Sequence, residues 1–201
     1  MDFLQGPKSE PKVNQEPVLP SPMRFRACSW KSRYIRNMTL EFKRLTEVGV
    51  DEIIALNNHP EVLRQMPLGS ADFDEVKARD WVSHKDAQWT QYGYGPWAFL
   101  IDQEFAGWGG LQHEAGDADL ALVLHPRYWG SGKAIYQEIV NRAFNVMGLS
   151  SITILLPPSR KRIRGVLRLG FKADGELYLG GVHFARFRLC ACGKFRSQVS
   201  R

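Results

Sequence analysis

The residues most able to do chemistry lie in one stretch, Leu120 to Ala134: Leu-Ala-Leu-Val-Leu-His-Pro-Arg-Tyr-Trp-Gly-Ser-Gly-Lys-Ala. An apolar run of strand length breaks at His125-Pro126, because proline donates no backbone hydrogen bond and biases the residue before it away from helix. Gly130 and Gly132 follow. Ile135, Ile139, Val140, Ala143, Phe144 and Met147 then recur with helical spacing. A strand, a glycine-containing turn and a helix point free N–H groups and a helix N-terminus at an anion. Glycine lets a ligand approach where a side chain would clash.

Two nucleotide-binding patterns fail here. In a Walker A loop Gly132-Lys133 would be followed by Ser or Thr, but Ala134 stands there, and Arg127 occupies the position of the first glycine. A dinucleotide fingerprint needs a third glycine where the chain has Ile135.

Stepping outward, alternation from Met38 to Thr46 predicts a first strand, and Val50, Ile53, Ile54 and Leu56 predict a helix behind it. Pro60 suits the start of a second helix to Met66. Asp72 or Asp74 suits the cap of a third running to about Gln91. Trp97–Ile101 and Phe105–Leu111 read as a hairpin through Asp102-Gln103-Glu104, and an acid-rich loop from Glu114 to Asp117 leads into the strand Ala118–Leu124. Beyond the long helix come a strand at Ile152–Leu156, a helix from Ser159 to Leu169, and two strands joined at Gly180-Gly181. The order predicts an α/β (mixed α+β) fold with helices on both faces of a mixed sheet.

Of the 201 residues, 44% are hydrophobic, enough for one sizeable core, and no apolar run is long enough to span a membrane. Residues 1–37 read as a disordered basic extension, genuine or lying upstream of the true start, residues 38–189 as the domain, and 190–201 as a basic tail. The formal net charge of +6 divides into +4 for residues 1–38, +3 for 190–201 and −1 for the core between. Basic ends on a near-neutral core read as tails rather than a nucleic-acid surface. Three cysteines without further ligand spacing predict no metal site and a reducing, cytoplasmic location, and the N-terminus lacks the apolar core of a secretory signal.

The ordered set of motifs resembles the GNAT superfamily of acetyl-coenzyme A-dependent N-acyltransferases. Arg127-Tyr128-Trp129-Gly130-Ser131-Gly132 matches its Arg/Gln-x-x-Gly-x-Gly/Ala loop, and the Pro-x-Tyr-Trp-Gly-x-Gly form is similar to the ribosomal-protein N-terminal acetyltransferase (Rim-type) branch. Pro60-Glu61-Val62-Leu63, Gly95-Pro96-Trp97, Gly107-Trp108-Gly109-Gly110, Asp119-Leu120 and Leu169-Gly170-Phe171 agree in order over residues 39–189. The resemblance implies a mostly antiparallel sheet of six to seven strands whose central parallel pair, Ala118–Leu124 and Ile152–Leu156, splays apart.

It implies further that Val123 and Leu124 offer backbone groups to the pantetheine of acetyl-CoA, as an added strand pairs with a sheet edge. The N–H groups from Tyr128 to Lys133, including those of Trp129, Gly130, Ser131 and Gly132, would hold the pyrophosphate, and Arg127 or Lys133 would add charge. Where the branch has Asn-x-x-Ser this chain has Ser159 and Arg162; Ser159 stands where the pantetheine-binding Asn would be, and Arg162 is a phosphate candidate, alone or with Arg160 and Lys161. Val166 stands near the position of the family's tyrosine acid, so no acid transfers.

Attack on a thioester needs a neutral amine. A free lysine amine, with pKa about 10.4, carries a deficit of about 4 kcal/mol near neutrality; an α-amine, with pKa about 7.7–8, carries less than about 1 kcal/mol. An N-terminal amine of a protein or peptide is therefore the preferred acceptor, with a small polycationic amine or a non-catalytic CoA-binding module as alternatives. Asp119 and His113 are candidate proton acceptors, and Tyr178 a candidate acid for the leaving thiolate. Trp97, Trp108 and Trp129 are expected to line core or pocket, and the protein to be a monomer or homodimer.

Overall fold

The computed structural model describes residues 38–157, 160 and 163–191. The expected extension (1–37), Ser159, Lys161, Arg162 and the tail beyond 191 lie outside the described residues.

Strand β1 (Leu40–Arg44) turns through a short 3-10 helix, Leu45–Glu47, into α1 (Val50–Asn57) and α2 (Pro60–Leu63). Helix α2 is shorter than its expected reach to Met66. Helix α3 (Glu75–Tyr92) starts where the Asp74 carboxylate accepts from the Lys77 N–H at 2.9 Å, and stops at Gly93 in the left-handed conformation. Strands β2 (Pro96–Ile101), β3 (Glu104–Glu114) and β4 (Asp117–Leu124) form a meander. The segment between Glu114 and Asp117 is a two-residue turn, Ala115-Gly116, with φ of 48° and 84°. A 3-10 helix, Pro126–Ser131, precedes α4 (Gly132–Asn141), whose last expected turns continue as a π-helical segment, Arg142–Val146. Strand β5 (Ser151–Leu156), α5 (Ile163–Arg168), β6 (Lys172–Leu179) and β7 (Val182–Cys190) complete the chain.

The seven strands form one sheet in the order β1-β2-β3-β4-β5-β7-β6. Every pair is antiparallel except β4 and β5. This mixed sheet is the expected fold class.

Strand periodicity of two gives each face its own core. Leu120 and Leu124 of β4 pack with Ile135, Ile139 and Val140 of α4, and Val166 of α5 joins the same cluster. Ala121 and Val123 instead face the cluster of Ile53, Leu56 and Val62 from α1 and α2, with Trp81 and Val82 of α3. Trp97 and Trp108 are buried, and the Trp108 indole N–H donates to Asn57 Oδ1 at 3.0 Å. Between β3 and β4 the backbones approach so closely that a Cβ on Gly107 would lie 2.1 Å from the Val123 carbonyl oxygen, and one on Gly109 would lie 2.4 Å from that of Ala121. Only glycine fits at those two positions. Among the described residues no helix is long and apolar enough to cross a membrane.

Candidate active site

The pairing of β4 decides where the site is. Strand β4 pairs with β3 along its whole length, from Glu114↔Asp117 to Gly107↔Leu124. With β5 it pairs at one position, Asp119↔Thr153. The two parallel strands therefore diverge beyond that point, leaving one edge of β4 without a partner.

Hydrogen-bond parity identifies the residues on that edge. The His125 N–H donates to the Ala106 carbonyl at 2.9 Å, so His125↔Ala106 is a hydrogen-bonded pair and alternate pairs back along the strand are too. Val123 accordingly spends its backbone groups on Trp108, while Leu122 and Leu124 direct theirs toward the gap. The expected pair, Val123 and Leu124, is thus replaced by Leu122 and Leu124, because successive residues of a strand face opposite edges. The Leu124 carbonyl already accepts the Trp129 indole N–H at 2.9 Å, which leaves it one lone pair.

A cleft of about 380 Å³ opens at this place, lined by Val62, Gln65 and Met66, by Leu122, Val123 and Leu124, and by Trp129, Gly132 and Arg160. Trp129 is 50% exposed despite its size. Val62 belongs to the motif Pro60–Leu63 noted in the sequence, whereas Gln65 and Met66, just beyond α2, carry no such signal. Arg160 was named there only as a neighbour of Arg162; among the described residues the cleft has no other charged lining residue.

The turn before α4 divides the expected run of donors. The Tyr128 N–H donates to the His125 carbonyl at 2.8 Å, and the residues to Ser131 wind a 3-10 helix that uses N–H groups internally. The first N–H groups of α4, from Gly132 onward, have no side-chain cap, since Ser131 makes no such bond. Neither Gly130 nor Gly132 has positive φ. A Cβ on Gly130 would meet nothing within 4 Å, and one on Gly132 would touch Leu124 Cδ1 at 3.6 Å and Leu122 Cδ2 at 3.7 Å. The fold itself has room for side chains at both.

The charged candidates are distributed as follows. Arg127 Nη1 donates to Glu104 Oε2 at 2.7 Å, and the Tyr128 hydroxyl donates to the same carboxylate, so Arg127 is held toward the β2–β3 turn. Lys133 lies in the first turn of α4.

Asp119 is 4% exposed, at the last pairing point before the strands diverge. Its Oδ1 accepts from Thr153 Oγ1 at 3.2 Å. Burial pushes its pKa up to about 6, against the downward pull of the Thr153 and Gln112 hydrogen bonds and of the Lys85 charge. Asp119, Ala121 and Val123 share the sheet face covered by α1, α2 and α3.

His113 does not join Asp119. Gln112 is directly opposite Asp119, so the next residue along β3 points to the other face. There His113 stacks on Tyr92 with centroids 3.8 Å apart, and its Nδ1 lies 3.0 Å from the Tyr94 hydroxyl. Tyr178 lies on the edge strand β6, with β7 and β5 between it and β4; it is 76% exposed and leans on His183. Among the described residues, the Tyr136 hydroxyl, one helical turn beyond Gly132, is buried without a hydrogen-bond partner.

Below the divergence, Arg188 donates to Asp117 at 2.7 Å and to Asp174 at 2.9 Å, and Arg186 pairs with the same two carboxylates. These ion pairs tie β4, β6 and β7 together at the end where the sheet stays closed. Among the described residues no group of three or more His, Cys, Asp or Glu side chains could hold a metal ion.

Known proteins share this architecture. A GNAT-family acetyltransferase from Bordetella pertussis superposes with a TM-score of 0.62 at 18% identity, over 76% of this chain and 99% of that one. Spermidine N-acetyltransferase from Vibrio cholerae, in complex with CoA and spermine, does so with 0.57 at 12%, over 78% and 96%. The aminoglycoside acetyltransferase AAC(6′)-Ib, in complex with coenzyme A, gives 0.60 at 15%, over 80% and 99%. These likenesses are of fold. Residues 39–172 match the family model described as the acetyltransferase (GNAT) domain. With most of its length under that match, the chain belongs to the GNAT acetyltransferase domain family.

Proposed function

We propose that the protein transfers an acetyl group from acetyl-CoA to a primary amine, by direct attack within a ternary complex, and that the acceptor is the N-terminal amine of a protein or peptide, as in the branch its loop resembles. The observation that carries the cosubstrate assignment is the combination of three protein features: a β4 edge unpartnered beyond Asp119, an α4 N-terminus with no side-chain cap, and two glycines whose Cβ space the fold does not need.

Acetyl-CoA supplies the activated acyl group as a thioester. Gly132 and Lys133 N–H groups, with the α4 dipole, hold the pyrophosphate. Leu122 and the free lone pair of Leu124 meet the pantetheine amides as a neighbouring strand would. Arg160 adds a charge-assisted contact to phosphate. Ser159, standing where the resemblance puts a pantetheine-binding Asn, is a candidate for the pantetheine, and Arg162, where this chain departs from the branch's Ser, is a candidate for a phosphate.

Asp119 takes up the proton of the incoming ammonium, directly or through water. A carboxyl with pKa about 6 is largely ionised at neutral pH, yet basic enough to matter. His113 and Tyr178 receive no proton-transfer role in this proposal, because one faces the opposite side of the sheet and the other stands on the far edge strand.

The acceptor assignment is supported by the cleft wall. Val62 and Met66 are apolar, and no carboxylate that could hold a second positive charge lines the cleft among the described residues. That suits a single amine beside an apolar group more than a polycation.

Isothermal calorimetry with acetyl-CoA, followed by a CoA-release assay over peptide N-termini, polyamines and aminoglycosides, tests both claims. Binding with preferential turnover of peptides is the expected result. No heat and an unchanged melting temperature would sink the cosubstrate assignment. Faster turnover of spermine or an aminoglycoside would replace the acceptor class, and binding without any turnover would make the domain a CoA-binding module.

A further inference from the structure

Lys85, from the middle of α3, reaches beneath the helix to the sheet. Its Nζ donates to Gln112 Oε1 at 2.7 Å, and its stem runs beside Trp81, with the ammonium 5.9 Å from the ring centroid. It is half-buried and has no carboxylate within ion-pair distance among the described residues. A surface lysine gains little from such a position. Burial lowers its own pKa, opposed by Glu114 and Asp119.

Gln112 stands directly across the strand pair from Asp119 on the same face of the sheet, and its side chain pulls the Asp119 pKa down. An amide side chain has two ends, and an ammonium can only donate. With Lys85 on Oε1, the NH2 end of Gln112 is the one left to donate to a carboxylate. The order Lys85, Gln112, Asp119, Thr153 thus crosses from α3 through β3 and β4 to β5, with Lys85 donating to Gln112 Oε1, Gln112 facing Asp119 across the strand pair, and Thr153 Oγ1 donating to Asp119 Oδ1.

The other charged groups around Asp119 are accounted for. Glu114 lies on the same face of β3 and acts against ionisation. Asp117 of β4 is held by Arg188, which stands opposite Thr153 on β7. Lys85 is the cation contributed by the helical layer.

We propose that Lys85 is a positioning residue for acetyl transfer: through Gln112 it orients and holds Asp119 as the ionised carboxylate that receives the proton of the acceptor ammonium. In that step the N–H bond of the ammonium breaks, its electron pair stays on nitrogen, and an O–H bond forms on Asp119. The inference rests on the proposed function for its kinetic consequence, but the protonation state of Asp119 is measurable without turnover.

The test is a carboxyl-detected NMR titration of Asp119, assigned with Asp119→Asn, in the full-length protein and in Lys85→Met, Lys85→Arg and Gln112→Met. Lys85→Met and Gln112→Met should each raise the Asp119 midpoint by about one pH unit, and Lys85→Arg should leave it near the parent value. The acidic limb of the kcat/KM profile should move by the same amount, with CoA affinity unchanged. A midpoint that stays in place in a folded Lys85→Met protein overturns the proposal, whether or not the enzyme turns over. If Lys85→Met does not fold, Gln112→Met decides by the same reading. A midpoint that moves while the kinetic limb does not overturns the catalytic part. Absence of acetyl-CoA binding by the parent protein is a different result, and overturns the proposed function instead.

Discussion

Replacing Gly132 by alanine should move stability and cofactor affinity in opposite directions. Gly132 opens α4 with φ of −54° and ψ of −32°, values any residue adopts. A methyl group there makes ordinary contact with Leu124 and Leu122, at 3.6 and 3.7 Å. The unfolded chain loses freedom while the fold suffers no clash, so alanine should stabilise by about 0.5 kcal/mol. For a domain of this size that raises Tm by about 1–2 °C. A helical Cβ, however, tilts toward the N-terminus, into the space where an anion would face the first N–H groups. Losing one charge-assisted hydrogen bond to the pyrophosphate costs about 1.5–3 kcal/mol, which weakens acetyl-CoA binding by about 10- to 150-fold. Calorimetry and a thermal melt on the same preparation read both quantities. A raised Tm with unchanged Kd would refute the reasoning, since it would show that no ligand uses the space at Gly132.

Further outcomes follow from the same geometry. Asp119→Asn should abolish the acidic limb of kcat/KM near pH 6. It should also stabilise the fold at pH 8 by about 3 kcal/mol, because a pKa raised from 3.8 to about 6 means the ionised carboxylate is the form that burial penalises. That gain should shrink as pH falls through 6 and vanish below about 4, which urea unfolding across pH will show. Arg188→Met leaves Asp117 and Asp174 with Arg186 alone; on part-exposed groups this costs about 1–2 kcal/mol at pH 7. Since the Arg188 hydrogen bond and charge hold the Asp117 pKa below its ordinary value against the upward push of burial, the deficit should narrow as pH drops below about 4. Tyr136→Phe removes a buried, unpartnered hydroxyl and should raise stability by about 1 kcal/mol; a loss would show that the hydroxyl has a partner in solution.

Much of the scaffold was legible from the residues alone. Apolar periodicity located β4 and α4, because burial of one face imposes a repeat on each. Asp72 or Asp74 marked the start of α3 through local capping chemistry, and the structure uses Asp74. The glycine turn between β4 and α4 was legible for the same reason, since turn and helix start are local in sequence. The length of α2 was not, nor the 3-10 winding of Pro126–Ser131, since both depend on what the segment packs against.

The proton-transfer candidates show where local reading ends. His113 and Asp119 lie six residues apart and look like partners, yet a two-residue turn at Ala115-Gly116 fixes the register and puts them on opposite faces of the sheet. Tyr178 was placed near the thioester by order of elements alone, and strand order moved it to the edge. Lys85, Gln112 and Thr153 are not singled out by any local pattern in the sequence. They become a set around Asp119 through contacts among α3, β3, β4 and β5. By itself, then, the sequence determined the fold class, the family and the position of the glycine turn between β4 and α4, all written in short-range pattern. Only the tertiary structure decided which β4 residues face the gap and which carboxylate is buried beside it, because those depend on register and parity between segments far apart in the chain.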